Sequence, residues 1–141
     1  MANTIQVDIV SAEGEVFSGA ATMVFAPAVM GEIGIAPRHA PLLTTLKPGE
    51  VRVQTPDGEE QYFYVGGGAL EVQPHLVTVL ADTALRARDI DEAAALAAKQ
   101  RAEEALRDKV GQISQAEALA ELARAAAQLK ALERLRKAVK R

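Results

Sequence analysis

All six prolines and nine of the ten glycines of this 141-residue chain precede Asp89. After that point only Gly111 interrupts a stretch dominated by alanine, leucine and charged residues. Glycine and proline punctuate turns and disfavour helix interiors, so the first part is committed to a turn-rich fold and the remainder is free to be helical. This division predicts two domains, residues 1–88 and 89–141. The second has room for at most two helices, and a lone helical hairpin is marginal because helices in water draw their stability mainly from docking an amphipathic face. Residues 89–141 must therefore lean on the first domain or on another protein.

In the first domain, residues 4–10 alternate apolar and polar side chains with period two, the pattern of a strand with one buried face. A turn at 11–15 leads to a short strand at 16–19, and a third strand at 22–26 is expected to stop at Pro27, which cannot donate to a ladder. Residues 49–54 and 61–65 flank Thr55-Pro56-Asp57-Gly58, whose proline and glycine suit a tight turn, so they read as a hairpin. Residues 69–72 and 76–80 form a second hairpin around Gln73-Pro74-His75. Many short strands with no helix-length segment between them argue for an antiparallel β-sandwich or flattened barrel rather than a parallel sheet. All five aromatics, Phe17, Phe25, Tyr62, Phe63 and Tyr64, fall in this part and are expected in its core.

In the second domain, Asp89 is expected to cap a helix, with Glu92 completing a capping box. That helix should run to about Val110 and stop at Gly111. Ser114-Gln115-Ala116-Glu117 repeats the capping pattern and opens a second helix to about Val139. Leu119, Leu122, Ala126, Leu129 and Leu132 form one apolar stripe; Ile90, Ala94, Ala97, Ala98, Ala102, Ala105 and Leu106 form another, mostly of alanine. Methyl-sized contacts bury little area each, at about 25 cal/mol per Å², so the hairpin is expected to be weakly held.

The net charge of −3 conceals an asymmetry. Residues 1–88 carry five Lys/Arg against ten Asp/Glu, residues 89–123 four against eight, and residues 124–141 seven against one. A basic end on an acidic protein suits an acidic partner surface. Nucleic acid would call for aromatics interleaved with the basic residues, and none follows Tyr64. No run approaches the roughly 18 apolar residues of a membrane span, and the opening residues lack the pattern of a signal peptide, so membrane association is expected only through a partner. The absence of cysteine excludes disulfides, thiolate metal sites and cysteine nucleophiles.

Residues that could carry chemistry have simpler structural readings. Gly66-Gly67-Gly68 is followed by a strand rather than by the helix a phosphate loop needs, so it reads as a kink or bulge. His39 and His75 have no metal-binding spacing. Ser11, Ser18 and Ser114 sit in turn or cap contexts outside any nucleophile elbow. Glu59 and Glu60 lie on a turn as solvated surface. A small hydrolase is thereby disfavoured; a free-standing adaptor, with a ligand-binding sandwich and a recruiting hairpin, remains an alternative.

The segment from Gly31 to Thr44, reading GEIGIAPRHAPLLT, resembles the signature segment of the epsilon subunit of bacterial F-type ATP synthase. Similar matches are Val10-Ser11-Ala12-Glu13, Phe17-Ser18-Gly19, residues 67–72, residues 79–84, Asp91-Glu92-Ala93 and Glu121-Leu122-Ala123-Arg124, so the resemblance spans essentially the whole chain in order. It implies an N-terminal β-sandwich with a C-terminal helical hairpin in the central stalk of a rotary motor. It further implies a non-catalytic subunit at the cytoplasmic face of the bacterial inner membrane. There it would contact the gamma subunit, the c-ring and the alpha and beta subunits of the catalytic head, couple proton flow to ATP synthesis, and inhibit hydrolysis through its helices.

By the same resemblance, Glu32 and His39 match positions facing the c-ring, and the basic segment with Arg124, Lys130, Arg134, Arg136 and Lys137 matches the part that meets the beta subunit when extended. Some relatives bind ATP through a helix-start pattern of an apolar residue, Asp, two residues, Arg and Ala. Here Ile90-Asp91-Glu92-Ala93 continues with Ala94 and Ala95, so only Asp91 of the polar pair is present and the bidentate phosphate partner is missing. Weak or no ATP binding, and no other cofactor or metal, is expected.

Overall fold

A computed structural model describes residues 3–108 and 115–139. Eight strands, β1 (Ile5–Ser11), β2 (Gly14–Ala21), β3 (Met23–Ala28), β4 (Gly31–Ile35), β5 (Leu42–Gln54), β6 (Glu60–Gln73), β7 (Leu76–Ala81) and β8 (Ala84–Arg86), precede two helices. The helices are α1 (Glu92–Asp108) and α2 (Gln115–Val139). The strand order is β2-β1-β7-β6-β5-β3-β4, with β8 paired to β6. The path closes over a core that includes Val7, Ile9, Phe17, Val51, Val53, Phe63, Leu70 and Val79. This is the expected sandwich with its helical hairpin. One pair is parallel, β1 with β7, because the two strands meet only after the chain has crossed the sandwich.

The long strands β5 and β6 replace what local pattern reads as shorter pieces. β6 runs unbroken through Gly66-Gly67-Gly68, with Gly67 and Gly68 at φ of 107° and 137°. Those backbone angles, open to glycine and strained for other residues, let the strand rotate its faces. The residues facing the sandwich core are Phe63 and Val65 before the glycines and Leu70 and Val72 after them, so the alternation slips by one. The same slip occurs in the partner strand, where Leu46 and then Val51 face inward. The triple glycine is thus a corner at which β6 leaves β8 and takes up β7.

Pro27 does not end β3 as expected. It lies inside the strand opposite Glu32 of β4, and the β3–β5 register shifts between Phe25 and Ala28. Proline fits a sheet at such an irregularity because no ladder hydrogen bond from its nitrogen is required there. The first residues of the 31–44 segment form β4. The Thr55–Gly58 turn closes as expected, with Gly58 N–H donating to Thr55 O at 3.0 Å.

The helix start differs as well. Residues 87–89 form a single 3-10 turn, Ile90 is extended, and Asp91 rather than Asp89 caps α1, its Oδ1 accepting from Ala94 N–H at 3.2 Å. Burial of Ile90 beside Tyr64 and Ala131 holds this link in the extended form. Glu92 turns to Arg136 of α2 instead of completing a capping box. The expected stop at Gly111 and cap at Ser114 lie outside the described residues.

Helix packing centres on small residues. Ala95 and Ala102 of α1 and Ala118, Ala125 and Ala131 of α2 are buried, while Leu119, Ala126, Ala94 and Ala97, expected on the inner stripes, are exposed. Alanine at the centre of a helix contact lets the backbones approach closely; the flanking Leu122, Leu129 and Leu132 are left half-buried at its margins. α2 lies on the sheet, over β5 and β6, and α1 packs chiefly on α2.

Candidate functional site

The seam between α2 and the sheet gathers most of the protein's organised charge. Alternation along β5 and β6 sends Val51, Val53, Phe63 and Val65 to the core and puts Glu50, Arg52, Gln54, Glu60, Tyr62 and Tyr64 on the opposite face. Cross-strand register then sets Glu50 opposite Tyr64, Arg52 opposite Tyr62 and Gln54 opposite Glu60. α2 covers the Glu50–Tyr64 end of this ladder. Tyr64 is 1% exposed and packs with Ile90 and Ala131, joined by Ala127 and Leu132. Only Phe17 and Phe63 of the five aromatics fill the main core; Phe25 and Tyr62 are half-buried.

A chain of charges crosses the seam. Glu32 of β4 accepts from Arg52 at 3.1 Å, Arg52 lies 4.0 Å from Glu50, and Glu50 pairs with Arg134 of α2 at 2.9 Å. Arg52 also stands 4.2 Å from the centroid of the Phe25 ring, a cation–π contact that keeps its guanidinium flat on the sheet. The Glu50 side chain is 8% exposed against 33% for Arg134. Its pKa is raised: burial in the seam outweighs the lowering by Arg134, Arg52 and Lys130. Burial likewise raises the Tyr64 phenol, which sits beside Gln128 and Thr83 without a well-aligned hydrogen bond. A cleft of about 350 Å³ opens along the seam, lined by Glu32, Lys47, Glu50, Lys130 and Arg134 among others.

The structure separates the two residues matched to ring contacts. Glu32 is tied to Arg52 beside α2. His39 sits in the turn after β4, its Nδ1 2.8 Å from Ala40 O, next to Arg38, whose backbone N–H donates to Pro74 O in the β6–β7 turn. The basic residues of α2 are partly engaged within the chain: Arg134 with Glu50, Arg136 with Glu92, and Lys137 with Glu133 one turn earlier. Lys130 borders the cleft and Arg124 is exposed; Lys140 and Arg141 lie outside the described residues. Asp91 spends its carboxylate on the cap of α1.

Sequence reasoning missed Glu50, Arg52 and Tyr64. The signal was present: two tyrosines at alternate positions of β6, on the face away from the core, mark a sheet face that something must cover. Among the described residues no group of three or more His, Cys, Asp or Glu side chains is placed to hold a metal ion, and no helix is long and apolar enough to cross a membrane.

Comparison with known proteins covers both domains. Residues 4–87 match the family described as ATP synthase, Delta/Epsilon chain, beta-sandwich domain, and residues 88–133 match its long alpha-helix domain. The ATP synthase epsilon chain of Nitrosococcus oceani is 71% identical over 137 residues, covering 97% of this chain and 98% of the relative. That of Halorhodospira halophila is 63% identical over 141 residues, covering 99% of each. A chain in the cryo-EM structure of the Euglena gracilis mitochondrial ATP synthase OSCP/F1/c-ring assembly shares the fold, with a TM-score of 0.69 at 18% identity over 99% of this chain and 83% of that one. With both domains matched in order and full-length relatives above 60% identity, the chain belongs to the ATP synthase delta/epsilon chain family, among its bacterial epsilon subunits.

Proposed function

We propose that this chain is a non-catalytic subunit of the central stalk of an F-type ATP synthase, in which the sandwich joins the shaft and ring and the helical arm restrains ATP hydrolysis. Epsilon chains of full-length similarity support the stalk assignment, and so does the Euglena chain of like fold, which belongs to an F1/c-ring assembly. The proposed partners are the gamma subunit, the c-ring and the alpha and beta subunits of the head, with the chain held peripherally at the cytoplasmic face of the inner membrane.

The observation that carries this reading is the unequal use of the two outer faces of the sandwich. One is covered by α2. The other leaves a row of side chains across four strands, Val10 opposite Leu80, Leu80 opposite Ala69, and Ala69 opposite Thr45, with Leu43 beside them. Leu43 is 73% and Leu80 49% exposed, and exposed apolar side chains gathered on one sheet face, here with Thr45 among them, suit a protein contact. The sandwich therefore has a free face for the shaft while it holds the arm on the other. Toward its end the arm carries Arg136 and Lys137 on exposed ion pairs, each worth about 0–1 kcal/mol, which an acidic partner surface can replace.

Deleting residues 89–141 tests this reading. A folded sandwich that still joins the stalk, with faster ATP hydrolysis by the purified complex, is expected; unchanged hydrolysis would remove the inhibitory role. ATP itself is proposed to bind weakly or not at all, since the arginine of the family pattern is missing and Asp91 is engaged as a cap. Calorimetry on the isolated protein checks this, and a micromolar dissociation constant would overturn it.

A further inference from the structure

The ion pair between Glu50 and Arg134 is asymmetric in a way that reverses its usual meaning. Glu50 belongs to the sheet and is 8% exposed, whereas Arg134 belongs to α2 and is 33% exposed. Oε1 of Glu50 faces Arg134 Nη1 at 2.9 Å; Oε2 is buried without a hydrogen-bond partner, and so is Arg52 Nε, 4.0 Å from the paired oxygen. Glu50 is thus a largely buried carboxylate at the edge of the seam cleft, with one oxygen left without a hydrogen-bond partner.

We propose that Glu50 is a release device, a buried negative charge that opposes the docking of α2 and is tolerated only because Arg134 faces it. Desolvating a carboxylate is costly in proteins, and a pair of this kind repays it only when the remaining lone pairs are also satisfied. Here they are not. Removing Glu50 leaves Arg134, which still reaches solvent, at little cost. Removing Arg134 leaves a largely buried carboxylate without a close ion pair, with Arg52 at 4.0 Å and Lys130 as its remaining cations. The two substitutions break the same ion pair and act in opposite directions.

The groups facing Glu50 agree with this assignment. Arg52 approaches from its own strand, Glu32 from β4, Tyr64 from β6, and Arg134 and Lys130 from α2. Burial raises the Glu50 pKa despite three cations, and Glu32 raises it further. A carboxylate with a raised pKa in the docked form takes up its proton more readily there than when exposed. Docking therefore tightens as the pH falls through that raised value and weakens as it rises.

Only the predicted effect on hydrolysis rests on the inhibitory role proposed for the arm. The direct test uses the full chain, which has no tryptophan and two tyrosines. In a Tyr62→Phe background, acrylamide quenching of Tyr64 fluorescence along a urea series reports release of α2, and the later unfolding of the sandwich serves as the control. Glu50→Gln is expected to raise the urea midpoint of release, with the docking constant up several-fold. Arg134→Gln is expected to lower it by about tenfold or more. Above about pH 4.5, docking should weaken with rising pH in the parent chain and weaken less in Glu50→Gln. A Glu50→Gln chain that releases its arm as readily as Arg134→Gln overturns the proposal, as does a pH-independent parent. In the assembled complex, Glu50→Gln should speed hydrolysis by holding the arm down; tighter docking with unchanged hydrolysis would sink the inhibitory reading and leave the role of Glu50 standing.

Discussion

Phe17 of β2 and Phe63 of β6 stack within the core of the sandwich, with ring centroids 5.3 Å apart and planes inclined by 16°. Arg86 stands 5.7 Å from the Phe63 ring and donates to Val16 O at 2.9 Å, closing this end of the core. Truncating Phe63 to alanine should cost about 3–5 kcal/mol. Thermal denaturation of the full chain measures the loss, and a drop of only a degree or so would show that the core collapses around the gap.

The glycine corner of β6 makes a second demand on the backbone. A Cβ on Gly68 would stand 2.1 Å from Leu80 O and 2.9 Å from the Ala81 Cα, and the residue sits at φ 137°. Gly68→Ala should therefore destabilise the sandwich by at least about 2 kcal/mol through backbone strain and displacement of β7. Gly58, at a turn with open space around it, provides the comparison: alanine there meets strain without a clash and should cost less.

Asp91 supplies the side-chain cap of α1, and α1 rests chiefly on α2. Asp91→Ala should weaken α1 by about 1 kcal/mol. Hydrogen exchange should show faster opening of amides near Ala94, while the midpoint of sandwich unfolding is unchanged. Coupled loss of both would show that the arm and body unfold together.

Glu60 accepts hydrogen bonds from Tyr62 at 2.6 Å and Gln54 at 3.0 Å, and these hold its pKa below 4.5. A carboxylate depressed in the folded state lends stability above its unfolded value and loses it as the pH falls through the folded one. Acid titration of stability should accordingly steepen below about pH 4.5, and Glu60→Gln should flatten part of that slope. An identical profile in the variant would assign the acid sensitivity elsewhere.

The alternation of residues 4–10, the Thr55–Gly58 turn and the run of alanines after Asp89 were sufficient to read strands, hairpins and helices, because each is decided within a few residues of chain. Three features escaped that reading. Pro27 breaks an isolated strand pattern but is accommodated by a register shift against β5. Asp91 displaces Asp89 as cap because Ile90 is drawn into a cluster with Tyr64 and Ala131. The alanines that centre the helix contacts look no different in sequence from those left exposed.

What the chain order alone determined was the lopsided build: a β body whose turns are fixed by glycine and proline, followed by an arm that cannot stand unaided, with cations gathered toward its end. The tertiary structure decided which face of the body the arm covers and which polar groups are enclosed there. Glu50 reads in sequence as one surface carboxylate among many. It becomes a buried, half-satisfied charge only when β5, β6 and α2 converge on it. Burial is set by contacts between residues 84 positions apart, such as Glu50 and Arg134, and no local pattern encodes the dielectric around a side chain.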